Sequence, residues 1–232
     1  QESLPGKIFL ERPQGQYSRS LMAEKKLDRK NIRYNSPTII EQIKIGNAYA
    51  LRYKTIQEEE FAKRIGQQWD FFDEIPRIEL TTTIWMKENL DPLAVYLAFP
   101  FAVENPSIFY DSLGSSVEVG VDQMPNTCGE YNTVQDGITI KGNDLEIALT
   151  TLDNPLGLFE SIVRGEGRVT FKPKTAHFYS LLCQNYWITN FAALYPAKLV
   201  FRHVIECGNV GSGIKPIEGD ELWAFPAKIR QS

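Results

Sequence analysis

The feature that most constrains this chain is a two-residue hydrophobic period that recurs from Ile39 to Glu206. Successive side chains of a strand point to opposite faces, so alternation of apolar and polar residues marks a half-buried strand. Ile43 and Ile45 alternate with Gln42 and Lys44; Gly46-Asn47 then tolerates positive φ, and Tyr49, Leu51 and Tyr53 alternate with Ala50 and Arg52. That pattern predicts a hairpin. Ile78, Leu80, Thr82 and Ile84 alternate with Glu79, Thr81 and Thr83, and their Thr and Ile content suits a pleated surface. Leu93 to Phe101 (LAVYLAFPF) is apolar on both sides, as expected of a central strand covered on both faces, and Pro100 should mark where its pairing stops. Ile138 and Ile140 lead through Lys141-Gly142-Asn143-Asp144 into Leu145, Ile147 and Leu149, a second hairpin with a four-residue connection. Arg168 to Phe171, Ala176 to Cys183 and Lys198 to Glu206 supply three more strands. The rival helix runs from Thr55 to Ile65, where Thr55 and Glu58 form a capping-box pattern. Strands at regular spacing, with no alternation of strand and helix, predict an all-β, large antiparallel β-sandwich.

At 232 residues the chain fits one large sandwich, read as residues 39–232, preceded by a polar segment at 1–38 that is partly strand or loop. Within that segment residues 14–38 are basic, with few apolar anchors, and read as a loop or crossover. The acidic run Glu58-Glu59-Glu60 reads as a solvated edge. A hydrophobic share of 43% is enough for a packed core and excludes disorder as a description of the whole. A net charge of −4 gives no electrostatic footprint for nucleic acid. No apolar run approaches the ~20 residues that cross a bilayer, so the chain reads as soluble with no membrane partner. Cys128, Cys183 and Cys207 lie far apart without a CxxC pair. They read as buried free thiols, with one disulfide plus one free thiol as the alternative. A chain opening on Gln1 reads as trimmed.

The search for catalytic chemistry is largely negative. His177 and His203 have no second metal ligand at helical or strand spacing and read as ordinary strand residues. The sequence contains no GxSxG elbow, GxGxxG fingerprint or phosphate-binding loop. Asp111, Asp122, Asp136 and Asp153 fall in or beside turns and read as turn chemistry or a solvated rim. Two stretches do stand out, Val119 to Gly137 (VGVDQMPNTCGEYNTVQDG) and Gln184 to Phe191 (QNYWITNF), because they concentrate amides, acids and aromatics. Sugars suit that mixture: aromatic faces cover the C–H side of a pyranose while amides and carboxylates hydrogen-bond its hydroxyls. Trp187 read alone is a core aromatic. Its neighbours Asn185, Thr189 and Asn190 are poor core residues without partners, so the stretch reaches a surface or a site.

An ordered series of motifs resembles the carboxy-terminal β-region of glycoside hydrolase family 38, the retaining α-mannosidases, in its bacterial branch. The series comprises IPRIEL at Ile75 to Leu80, LAVYLAFPFAVENPSIFYD at Leu93 to Asp111, GVDQMPNTCGEYNTVQDGITI at Gly120 to Ile140, DLEIALTTLDNPLGLF at Asp144 to Phe159 and NYWITNFAALYPAKLVFRHVI at Asn185 to Ile205. The resemblance implies a supersandwich of galactose-mutarotase-like type, packed against an amino-terminal α/β catalytic domain of the same parent chain. That absent domain would carry zinc, the nucleophilic Asp and the acid/base carboxylate of a retaining hydrolysis. No motif here matches them, so no catalytic residue and no metal or cofactor is carried over. It also implies that the β-region lends side chains to the sugar pocket and its rim, the candidates being Asp122, Gln123, Tyr131, Gln135, Asp136, Asn185, Trp187 and Asn190. Family members are several times longer, so the sequence reads as a fragment, a domain, or a descendant without its catalytic half. The leading expectation is a non-catalytic domain that supports the enzyme and rims a pocket for a mannose-containing glycan. The alternatives are an autonomous carbohydrate-binding module and another glycan-processing activity that uses the turn carboxylates.

Overall fold

The computed structural model describes residues 5–13, 27–32, 39–45, 48–89, 92–163, 167–185 and 197–217. All strand pairs among them are antiparallel and none of the described residues is helical. One sheet has six strands in the order β10 (Asn132–Thr133), β13 (Leu156–Phe159), β14 (Ala176–Gln184), β7 (Ala94–Phe101), β1 (Lys7–Pro13) and β2 (Leu27–Ile32). The other has nine: β3 (Ile39–Ile45), β4 (Ala48–Gln57), β5 (Ala62–Phe72), β6 (Arg77–Met86), β15 (Lys198–Asn209), β12 (Leu145–Thr151), β11 (Gly137–Lys141), β8 (Ser107–Ser112) and β9 (Ser115–Glu118). A single core joins the two sheets: Val95, Leu97, Phe99 and Phe178 from the first pack with Ile84, Ile138, Leu149 and Ile205 from the second. This is the sandwich that the period-two pattern predicts.

The strand β7 shows why its sequence is apolar on both sides. Val95, Leu97 and Phe99 enter the main core, while Ala94 and Tyr96 enter a second cluster on the outer face with Leu158, Ile162 and Leu181. Pro100 ends only half of the pairing. β1 reaches no further than Ala98, so the missing N–H of Pro100 costs no bond there, while pairing with β14 continues to Phe101. β1 itself comes from the first 38 residues and sits between β7 and β2, inside the six-stranded sheet. Of the basic stretch 14–38, residues 27–32 are described and form the sheet's edge strand β2.

The structure decides one alternative and corrects several expectations. The rival helix at 55–65 does not form: Thr55, Ile56 and Gln57 pair with Gln67, Gly66 and Ile65, and Glu59 and Ala62 exchange two 3.2 Å backbone bonds across the turn. Long-range pairing of both strands outweighs the local capping signal. The turn carries the acidic run, with Glu58 and Glu60 exposed. The connection between β11 and β12 is three residues, 142–144, because Lys141 belongs to β11, where it pairs with Glu146; the Gly142 N–H meets the Leu145 carbonyl at 2.9 Å. Arg168 to Phe171 is not a strand and makes one isolated bridge, Cys128 with Val169. The three cysteines are free, and Cys128 is exposed rather than buried. In the β3–β4 hairpin the alanines are the buried residues: Ala48 and Ala50 lie under Ile43, Ile45, Phe72 and Ile75, whereas Leu51 on the other side is 50% exposed. Gly46 and Asn47 lie outside the described residues.

Candidate functional site

The stretch Val119 to Gly137 begins where β9 ends and leads through β10 to the start of β11. Much of its polar surplus is spent on holding its own shape. Asp122 accepts the Glu118 N–H at 2.8 Å on Oδ2 while its own N–H donates to the Glu118 carbonyl at 3.1 Å. Gln123 accepts the Gly120 N–H at 2.9 Å and donates to Asn132 Oδ1 at 2.7 Å and to the Tyr110 hydroxyl at 3.2 Å. One amide thereby ties the loop to β10 and β8. Gly120 has φ +76°, and a Cβ there would lie 2.2 Å from the Phe171 carbonyl oxygen. Gly120→Ala combines left-handed strain with a backbone clash and is expected to cost about 2–4 kcal/mol, read from thermal unfolding against wild type.

The facing layer, residues 159–163 and 167–172, is fixed by Arg168. Its guanidinium donates to the carbonyls of Phe159 at 2.9 Å and Gly129 at 3.2 Å and to the Ser161 hydroxyl at 3.2 Å, and it lies 3.9 Å over the Phe171 ring. The buried Glu130 carboxylate accepts the Gly167 and Arg168 N–H groups at 2.7 and 3.2 Å. Sequence reasoning missed both residues. Their partners are up to 39 residues away, and no local pattern marks such a bond. The same demand explains why Arg168 to Phe171 is irregular, since its backbone serves side chains and a crossing loop instead of a ladder.

Tyr131 packs on the outer face of the six-stranded sheet, with its hydroxyl 3.4 Å from that of the buried Tyr96. Gln135 is exposed, and its N–H donates to the Asp111 carbonyl at 2.9 Å. Asp136 is half-buried, and its carbonyl accepts the Thr151 N–H at 2.9 Å. Asn185 closes the far end of the β14–β7 pair, accepting the Leu93 N–H at 2.7 Å on Oδ1 and donating its own N–H to the Leu93 carbonyl at 3.1 Å. Gln184, its neighbour, stands opposite Ala94 on the strand that carries Tyr96. Trp187 and Asn190 lie outside the described residues. Among the turn acids, Asp153 is fully engaged: it accepts Arg202 N–H bonds from Nε, Nη2 and the backbone at 3.0, 2.8 and 2.7 Å. That carboxylate pushes the Arg202 pKa up, mainly through its hydrogen bonds.

No family model matches the sequence, and no curated protein matches it. Solved structures do. An α-mannosidase from Enterococcus faecalis V583 superposes with a TM-score of 0.51 at 11% identity, covering 97% of this chain and 27% of that one. A glycosyl hydrolase family 38 protein from Enterococcus faecalis gives a TM-score of 0.51 at 13% identity, covering 97% of this chain and 28% of that one. The fold is shared with part of a larger enzyme. The present chain spans little more than a quarter of either match.

Zinc is the metal that the resemblance implies for the wider enzyme. The described residues do not fit it: no group of three or more His, Cys, Asp or Glu side chains among them could hold a metal ion. His203 is fully buried with Nε2 3.2 Å from the Ser180 hydroxyl, and His177 stands on β14 opposite Pro100. No chemical step through a metal is therefore assigned to these residues.

Proposed function

We propose that this chain is a non-catalytic β-sandwich domain of an α-mannosidase-like glycoside hydrolase, which supports the catalytic part and contributes side chains to the rim of its sugar pocket. The observation that carries the reading is the match of nearly the whole chain, 97%, to one part of two such proteins. The loop layer adds physical support. A rim must hold hydrogen-bonding groups in place before the ligand arrives, and the Gln123, Glu130 and Arg168 bonds fix the backbone from which Tyr131 and the exposed Gln135 project. A mannose-containing glycan is the ligand of this reading, and the amino-terminal catalytic domain of the parent chain, with its zinc, is its partner.

Titration of the chain with mannose, α-mannobiose and a galactose control tests the proposal. Mannosides are expected to bind in preference to galactose. Gln135→Ala and Trp187→Ala should weaken that binding severalfold while the circular dichroism spectrum stays that of a β-protein. The chain alone should leave aryl α-mannosides unhydrolysed, with or without added zinc. Turnover above a buffer blank that is lost on replacing one carboxylate of this chain would defeat the non-catalytic reading. Unchanged binding by both variants would remove these two residues from the rim.

A further inference from the structure

Between the two sheets lie four buried polar side chains that the loop site does not use: Thr151, Asn154, Ser180 and His203. Ser180 is on β14 of the six-stranded sheet and His203 on β15 of the nine-stranded one, so the 3.2 Å contact between the Ser180 hydroxyl and His203 Nε2 spans the sandwich. Asn154 Nδ2 bonds the same hydroxyl and also reaches the Leu181 carbonyl at 3.3 Å. Thr151 stands directly opposite His203 in the β12–β15 ladder, and such partners share a sheet face.

The proton positions follow from what each group can do. The Leu181 carbonyl only accepts, so the Asn154 atom facing it is the NH2 group, and that group is the donor to Ser180. Ser180 then has one proton left, which goes to His203 Nε2. The imidazole is assigned the Nδ1–H tautomer, the one that leaves this hydroxyl proton bonded. Three buried polar atoms are left with no partner in the protein: His203 Nδ1, Asn154 Oδ1 and Thr151 Oγ1. They are one donor, one acceptor and one hydroxyl that serves as either. Leaving them all unmade would cost about 1–3 kcal/mol each.

We infer that this cluster is an internal hydration site, in which one water molecule accepts from His203 Nδ1–H, donates to Asn154 Oδ1 and completes its bonds at Thr151 Oγ1. Water is the ligand class that fits, because the site needs a small neutral group that donates and accepts at once, with the two to four polar partners that buried waters have. The water ties the β12–β13 connection, which holds Asn154, to β15 and so joins the sheets through a second polar bridge beside the Ser180–His203 contact.

A crystal structure of the chain at better than about 1.8 Å tests this, together with long-range ¹⁵N–¹H spectra of His203. The expected result is a full-occupancy density peak within ordinary hydrogen-bond distance of all three atoms. Nitrogen shifts of a neutral ring protonated on Nδ1, and loss of the peak in Thr151→Val, are expected with it. A dry cluster, or an Nε2–H tautomer, overturns the inference. If Thr151→Val does not fold, the wild-type density and tautomer still decide the matter.

Discussion

Phe178→Ala is expected to lower the unfolding free energy by about 3–5 kcal/mol, the usual range for removing a buried aromatic ring. Phe178 is 1% exposed, with its ring centroid 5.5 Å from that of Phe159 and 6.5 Å from that of Phe99. The site cannot easily collapse around the loss. Gly157 lies against the ring so closely that a Cβ there would fall 2.1 Å from it, and the backbone of β13 is held by pairing on both sides. Urea unfolding at neutral pH checks the value. A loss under about 1.5 kcal/mol would mean that neighbouring residues relax into the space.

The second large effect is an acid-induced loss of stability through His203. Burial lowers its pKa from 6.5 to about 3, with Asp153 opposing the shift more weakly. An unfolded chain therefore takes up this proton near pH 6.5 while the folded one refuses it until about pH 3. The stability that a neutral His203 contributes is complete above pH 6.5 and is lost as the pH falls towards 3. At about 1.4 kcal/mol for each pH unit of that window, the loss is on the order of 4–5 kcal/mol. Carboxylates titrate in the same range, so the quantity to measure is the difference between wild type and His203→Phe in urea midpoints from pH 7 to pH 3. Wild type should decline more steeply. Parallel curves for the two proteins would sink the assignment.

How much of the site was legible in the sequence can be argued from single residues. The concentration of amides and acids from Val119 to Gly137 is visible without any structure; within it Gln135 is exposed, while Tyr131 is half-buried with its hydroxyl against that of Tyr96. Asp122 and Gln123 have the right chemistry for a ligand, yet the structure shows them bonded to Glu118, Gly120, Tyr110 and Asn132. Asn185 likewise replaces a backbone partner for Leu93. Composition reports which groups are present; it does not report which are consumed in closing a turn, because that depends on distances that folding sets. Glu130 and Arg168 make the opposite case. Neither is among the candidate rim residues, and both fix the loop layer through bonds to residues distant in sequence.

The sequence by itself determined the all-β class and the strands β6, β7, β11, β12, β14 and β15, because side-chain period is a local property of an extended chain. It also determined that β7 would be interior, since apolar residues on both sides of one strand need cover on both faces. Tertiary structure decided the rest. Residues 55–57 and 62–65 are strand, joined by a turn, because two partner strands supply more hydrogen bonds and packing than one helical turn could. Ala48 and Ala50 are buried in place of Leu51 because the side that Phe72 and Ile75 close is theirs. The hydroxyl of Ser180 and the ring of His203 meet only because β14 and β15 belong to sheets that face each other across the core, a relation between residues 23 positions apart that no periodicity records.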